Sequence, residues 1–164
     1  MFDSGIKKVW LTNNHYYRIS STIIIPSDVI VNGAEQRTTP SGGTEDMRCN
    51  FIWGKIDNGP LITIKAATGK YEGVTIKGMY LYRYEDASTI TAANNYKQDI
   101  PTIMVDCTEG DIWGLYMDNV ICVNRVSKQL TAADGTTTTT MGIGGYTGIE
   151  INATGGHYCT FITI

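Results

Sequence analysis

No apolar stretch in this 164-residue chain approaches the roughly 18 residues that a membrane-spanning helix needs. No charged-then-apolar segment stands at its start, so neither membrane insertion nor secretion by a standard signal is indicated. Basic character is lacking as well. The net charge is -3, and lysine and arginine are scattered, which leaves no electrostatic footprint for nucleic acid. The cysteines, Cys49, Cys107, Cys122 and Cys159, never form a C-x-x-C pair and are too sparse for a disulfide framework. Zinc ligation therefore has little support, and the expected state of these residues is that of small buried hydrophobes. His15 and His157 lie far apart, with no acidic partner at metal-ligand spacing, and read as ordinary polar residues. "GIGGYTG" (142–148) departs from G-x-G-x-x-G and lacks a strand-loop-helix setting, which excludes a dinucleotide site. No cofactor or metal is implied.

What the chain does have is β-branched and aromatic residues in short runs, with 42% hydrophobic content, enough for one packed core. The run "YYRISSTIIIPSDVIVNG" (16–33) is a strand, a Pro-Ser-Asp corner and a second strand. Three later pairs repeat the pattern: "LITI" (61–64) with "GVTIKGM" (73–79), "TIMV" (102–105) with "GLYMDNV" (114–120), and "GIEI" (148–151) with "TFITI" (160–164). Ile62 to Val74, Ile103 to Leu115 and Ile149 to Phe161 are each twelve residues apart.

Setting Val29 against Val74 and Leu115 places Val31, Ile76 and Met117 in a second apolar column two positions on, as an inward face with a period of two requires. Gly33, Gly78 and Asn119 then share a corner position and are residue types that tolerate a left-handed backbone. In the last pair Thr163 falls where an apolar residue is wanted. Either Thr163 is accommodated inside, or the register slips by one, burying Ile162 and Ile164 and turning Phe161 outward. Polar excursions occupy 34–46, 83–99 and 124–145, the last with a threonine run at 136–140 that reads as an exposed strand or a loop tip. A chain that returns to one register through corners rather than hairpins describes parallel strands coiling as a solenoid; a β-sandwich is the rival.

These residues resemble a known family. "YYRISSTIIIPSDVIVNG" is similar to the opening coil of right-handed parallel β-helices of the pectate-lyase-like superfamily, bacteriophage tailspikes above all, and "PLITIKAATGKYEGVTIKGMYLY" and "PTIMVDCTEGDIWGLYMDNVICV" resemble later coils. The resemblance implies an all-β right-handed parallel β-helix of about four coils with long loop excursions, filling 1–164 as a single segment. It implies a homotrimeric virion protein of the phage tail, folded in the host cytoplasm, that binds a bacterial surface polysaccharide and, in one reading, depolymerises it. A non-catalytic adhesin or structural spike is the alternative, and a free polysaccharide lyase or epimerase a third. The family's capping helix has no counterpart in "MFDSGIKK", and "TFITI" halts within a coil. The chain is therefore expected to be part of a longer protein or to be capped by another polypeptide.

In such a coil the residues beside the inward columns face solvent and stack at about 4.8 Å. Lys65, Asp106 and Asn152 form one outward column, with Thr63, Met104 and Glu150 beside it; Asn32, Lys77 and Asp118 form another, flanked by Ile30, Thr75 and Tyr116. Glycoside hydrolysis generally uses two carboxyl groups, about 6.5 to 9.5 Å apart for inversion. Asp106 with Glu150 suits that separation, and Asp118 with Asp111 or Glu109 is the second set. Trp113 and Tyr116 offer sugar-stacking surfaces. Elimination would use Lys77 as base beside Asp118. "YLYRYED" (80–86), with Tyr82, reads as a glycan platform or as buried and subunit-facing tyrosines. Each acid has a plainer alternative as a solubilising surface charge, and Lys77 over Asp118 as a weak surface ion pair. Outward Ile30 and Tyr80, with Phe161 if the register slips, suit subunit contacts.

Overall fold

A computed structural model describes residues 7–12, 15–33, 50–56, 59–66, 68, 71–86, 100–131, 138–144 and 147–164. All the regular structure among them is β-strand, in the order β1 (Lys8–Trp10), β2 (Tyr16–Ile19), β3 (Ile23–Pro26), β4 (Val29–Asn32), β5 (Asn50–Lys55), β6 (Ile62–Lys65), β7 (Tyr71–Asp86), β8 (Ile103–Asp106), β9 (Asp111–Thr131), β10 (Thr138–Gly144), β11 (Ile149–Asn152) and β12 (Cys159–Thr160). No helix among the described residues is long and apolar enough to cross a membrane.

The strands fall into three rows of parallel neighbours. β3, β6, β8 and β11 make the first. β1, β4, the opening halves of β7 and β9, and β12 make the second. β2, β5 and the closing halves of β7 and β9 make the third. From β1 onward the chain visits second, third and first row in constant order. The result is an all-β fold of in-register parallel strands, consistent with the β-solenoid class, and the parallel neighbours remove the antiparallel sandwich. One pair departs: β10 runs antiparallel to the end of β9. The polar stretch 124–145 is thus largely paired strand, and Thr138, Thr139 and Thr140 lie in β10. Arg83 to Asp86 likewise belong to β7 rather than to an excursion. The excursion expected at 34–46 lies outside the described residues.

Register follows the apolar columns. Val29 pairs with Val74 and Val74 with Leu115; Val31, Ile76 and Met117 follow two positions on. All six are buried. In the first row Ile25, Ile64 and Val105 stack in the same way. This alternation of inward β-branched and outward polar residues is why such short segments hold a strand: each inward side chain meets a neighbour from the coil above and below. Pro26 is tolerated because β3 is the outermost strand of its row. Ile23 and Ser27 donate to β6 through Leu61 O and Lys65 O, so position 26 turns its missing donor to the free side.

The corner column holds, for two different reasons. Gly78 and Asn119 have φ of 64° and 54°, the left-handed conformation that bends β7 and β9 from the second row into the third. Gly33 is not left-handed. It is there because the backbones touch: its N–H donates to Lys77 O at 2.7 Å, and a Cβ would sit 2.0 Å from Gly78 O.

At the last coil the register slips. Cys159 pairs with Ile112, Thr160 with Trp113 and Thr163 with Tyr116, which sets Ile162 on the same side as Leu115. The burial expected of Ile162 and Ile164 does not follow: they are 44% and 70% exposed, with no further strand described over them. Phe161, with φ of 52°, is 79% exposed. The cause of the slip is the corner before β12: Ile112 lies nine positions after Ile103, but its partner Cys159 lies ten after Ile149, so this corner carries one residue more than the one before β9. Separately, β9 has a β-bulge against β7 at Trp113–Gly114, where Glu72 pairs with Ile112 but Val74 with Leu115. Gly114 takes φ of 98°, and Phe161 repeats the distortion one coil on.

Cys107 is buried, and Cys122 and Cys159 half-buried, all as free thiols. Burial pushes Cys107 up to about 12 and Cys122 up to about 11, which suits packing residues rather than nucleophiles. Cys49 lies outside the described residues. The third row has one surprise inside it. Arg83 is fully buried, and its guanidinium donates through Nε to Gly59 O at 2.7 Å and through an Nη to Ile56 O at 3.0 Å. It clamps the corner leading into β6 from within.

Candidate functional site

The expected site residues are distributed over all three rows. On the first row Asp106 pairs with Asn152 and Met104 with Glu150, so the two acids sit on neighbouring strands, two residues offset and on one face. From strand geometry their Cα atoms are about 8 Å apart. Asp106 is engaged. Its Oδ1 accepts from Thr108 Oγ1 at 2.6 Å and from Thr108 N at 3.0 Å. These bonds, the hydroxyl's first, hold the carboxyl below the usual carboxylate range; Lys65 adds to the effect, and partial burial opposes it. Lys65 itself pairs with Glu109 at 3.3 Å.

The second set does not converge. Asp111 and Asp118 both lie on β9, seven residues apart, a span of about 20 Å along an extended strand. Glu109 is farther still from Asp118, so neither partner gives a hydrolytic pair with it. Asp111 instead shapes the corner before β12. Its Oδ1 accepts from Tyr158 N at 2.8 Å and faces His157 Nδ1 at 3.2 Å.

His157 thus has one acidic neighbour that its sequence spacing does not show. The two residues are 46 positions apart, so linear spacing shows nothing. Only the slipped register, which sets Cys159 against Ile112, brings Tyr158 and its neighbour to Asp111.

The outer face of the second row gathers the most binding chemistry. Lys8, Ile30, Thr75 and Tyr116 form one column and Trp10, Asn32, Lys77 and Asp118 the next. Lys77 Nζ lies 4.8 Å from the centre of the Tyr116 ring, and Lys8 Nζ 4.8 Å from that of Trp10. Lys77 thus rests on an aromatic face and forms no salt bridge with Asp118, a contact worth about 0.5 to 1 kcal/mol at an exposed site. Trp113 points outward by alternation after buried Ile112, and the bulge that follows returns Leu115 to the inside. It is 52% exposed.

Tyr82 is not part of that group. It lies on the third row, beyond the Gly78 corner, paired with Trp53 and Val123. Arg18 stacks on Trp53 at 5.2 Å. Lys77, Tyr116 and Trp113 therefore share a face, Asp106 and Glu150 share another, and Tyr82 stands on the third. Among the described residues no group of three or more histidine, cysteine, aspartate or glutamate side chains is placed to hold a metal ion. No protein family, curated protein or solved structure matches the chain.

Proposed function

We propose that the chain is a segment of a right-handed parallel β-helix of the bacteriophage tailspike type, and that its outer faces bind a bacterial surface polysaccharide. One observation carries the reading: Trp10, Lys77, Tyr116 and Trp113 project from one face of adjoining parallel strands. Strands in a row are about 4.8 Å apart, close to the length of a sugar ring, so a glycan lying across them meets a new strand with each successive sugar. In-register pairing on both sides fixes the backbone beneath Lys77, Tyr116 and Trp113, which keeps that part of the surface preorganised.

Binding without cleavage is the second reading. Proton donation to a leaving oxygen needs a carboxyl that stays protonated, and Thr108 holds Asp106 in the opposite state. Hydrolysis on this face would assign proton donation to Glu150 and water activation to Asp106, with inversion as the outcome for that spacing. The same reading places the protein in the phage tail as a homotrimer, with Ile30, Tyr80 and Phe161 as subunit contacts.

The test is incubation with capsule and lipopolysaccharide from a panel of bacteria, with binding followed by calorimetry. New reducing ends alone indicate hydrolysis, absorbance from a new double bond indicates elimination, and binding with neither indicates an adhesin. Failure to bind any polysaccharide refutes the proposal. Analytical ultracentrifugation showing a stable monomer removes the trimer.

A further inference from the structure

Asp111, Trp113, His157 and Tyr158 meet where the chain turns into β9 and β12. We infer that this cluster is a subsite for a neutral sugar ring, recognised through its hydroxyl groups; the inference rests on the glycan-binding reading above and narrows it.

The cluster is held in place by its own hydrogen bonds. Asp111 Oδ1 is fixed by Tyr158 N–H at 2.8 Å and by His157 Nδ1 at 3.2 Å. The Asp111 side chain is 12% exposed, so the carboxylate is sunk into the corner rather than waving in solvent. With Nδ1 committed to Asp111, the imidazole turns Nε2 away from it. Nε2 is then the ring nitrogen left for a ligand, donor or acceptor according to the proton it carries. The second carboxylate oxygen, Oδ2, is an acceptor. A sugar hydroxyl both donates and accepts, so ring hydroxyls can meet Nε2 in either state and donate to Oδ2.

The apolar half of the site is equally defined. Trp113 is outward on β9, two residues from Asp111, and is 52% exposed. Tyr158 is tied to Asp111 by its N–H and to Ile112 N by its carbonyl at 2.9 Å, and is 59% exposed. Exposed aromatic side chains within two residues of Asp111 and beside His157 in the chain suit the C–H surface of a pyranose. Gly155 and Gly156, with φ of 74° and 87°, form the turn before His157 and put no side chain over it.

Charge selects the class of sugar. Asp111 contributes a negative charge at the centre, and the nearest first-row cation, Lys65, is paired with Glu109. A uronate would meet the carboxylate with nothing to offset it, whereas a neutral ring pays no such repulsion.

The experiment titrates the 164-residue chain with gluco-, manno- and galacto-configured neutral oligosaccharides and with oligogalacturonate, following tryptophan fluorescence and calorimetry. Expected are binding of a neutral oligosaccharide in preference to oligogalacturonate, and a rise in Kd of about three- to tenfold in His157→Gln, the size of one lost net hydrogen bond. Trp113→Ala is expected to weaken binding by at least as much, and it leaves the Asp111 hydrogen bonds in place should His157→Gln fail to fold. If a glycan binds but Trp113→Ala and His157→Gln bind it as the unaltered chain does, or if oligogalacturonate is preferred, the subsite is wrong while the broader reading stands. If no glycan binds, both fall.

Discussion

Replacing Leu115 by alanine tests the stacking of the apolar columns most directly. Leu115 is fully buried, pairs with Val74 on one side and faces Ile162 on the other. Truncation removes three carbons, a transfer loss of about 2.4 kcal/mol at roughly 0.8 kcal/mol per methylene. A residual cavity adds to this, and measured leucine-to-alanine losses run from about 2.7 to 5.0 kcal/mol. Ile162 is 44% exposed, so that side of the site is open to water and can relax. The expected loss is therefore near the lower end, about 3 kcal/mol. Tyr116, one residue on, faces outward, and Tyr116→Ala is expected to cost less than about 1 kcal/mol. Urea unfolding followed by far-ultraviolet circular dichroism gives both values, and comparing the two slopes checks that the unfolded states match. A loss at Leu115 no larger than that at Tyr116 would refute the inward assignment of the whole column, because alternation leaves no third option.

Two further outcomes follow from close contacts and from charge. Gly33→Ala forces a Cβ to within 2.0 Å of Gly78 O, a backbone atom that cannot swing aside, whereas a Cβ at Gly148 meets only Cys122 Cβ at 3.4 Å. Gly33→Ala is expected to exceed the roughly 1 to 3 kcal/mol of ordinary overpacking and Gly148→Ala to leave the melting temperature nearly unchanged; equal melting temperatures would contradict the corner geometry. Asp106 has a folded pKa below its unfolded one, so its contribution to stability is complete above the unfolded value and disappears as pH falls through the folded value, within and below the ordinary carboxylate range. Thr108→Val should raise the Asp106 pKa in a carboxyl NMR titration and flatten that acid-side loss; an unchanged titration would mean that Thr108 is not the cause.

Much of the fold was legible because inward columns need apolar residues at fixed offsets. Val29, Val74 and Leu115 carry that constraint in residue type alone, and their alternation continues through Val31, Ile76 and Met117. The bulge at Gly114 was not legible. It shifts β9 by one residue relative to β7, and glycine by itself does not say which strand carries the extra residue. Arg83 inverted the usual rule, since a charged residue in a polar-looking stretch reads as solvent-facing until the carbonyls of Ile56 and Gly59 are seen to need donors. The threonine run was open in sequence because β-branched residues suit a strand, yet only the partner, the end of β9, decides that one forms.

The candidate site was legible in its columns and illegible in its corners. Lys77, Tyr116 and Asp118 follow from register, and so does the spacing of Asp106 and Glu150. His157 and Asp111 meet through a turn that no periodicity describes, and the coil that carries His157 is the one whose register was ambiguous.

Pro26 has a consequence for self-association. Every other residue of β3 that faces away from β6 can offer a donor to an arriving chain, but the imide nitrogen at 26 cannot, so a foreign segment docking along this border would forgo a rung of its ladder just where the native chain turns. Replacing that one ring with an ordinary residue would restore the missing rung along the β3 border.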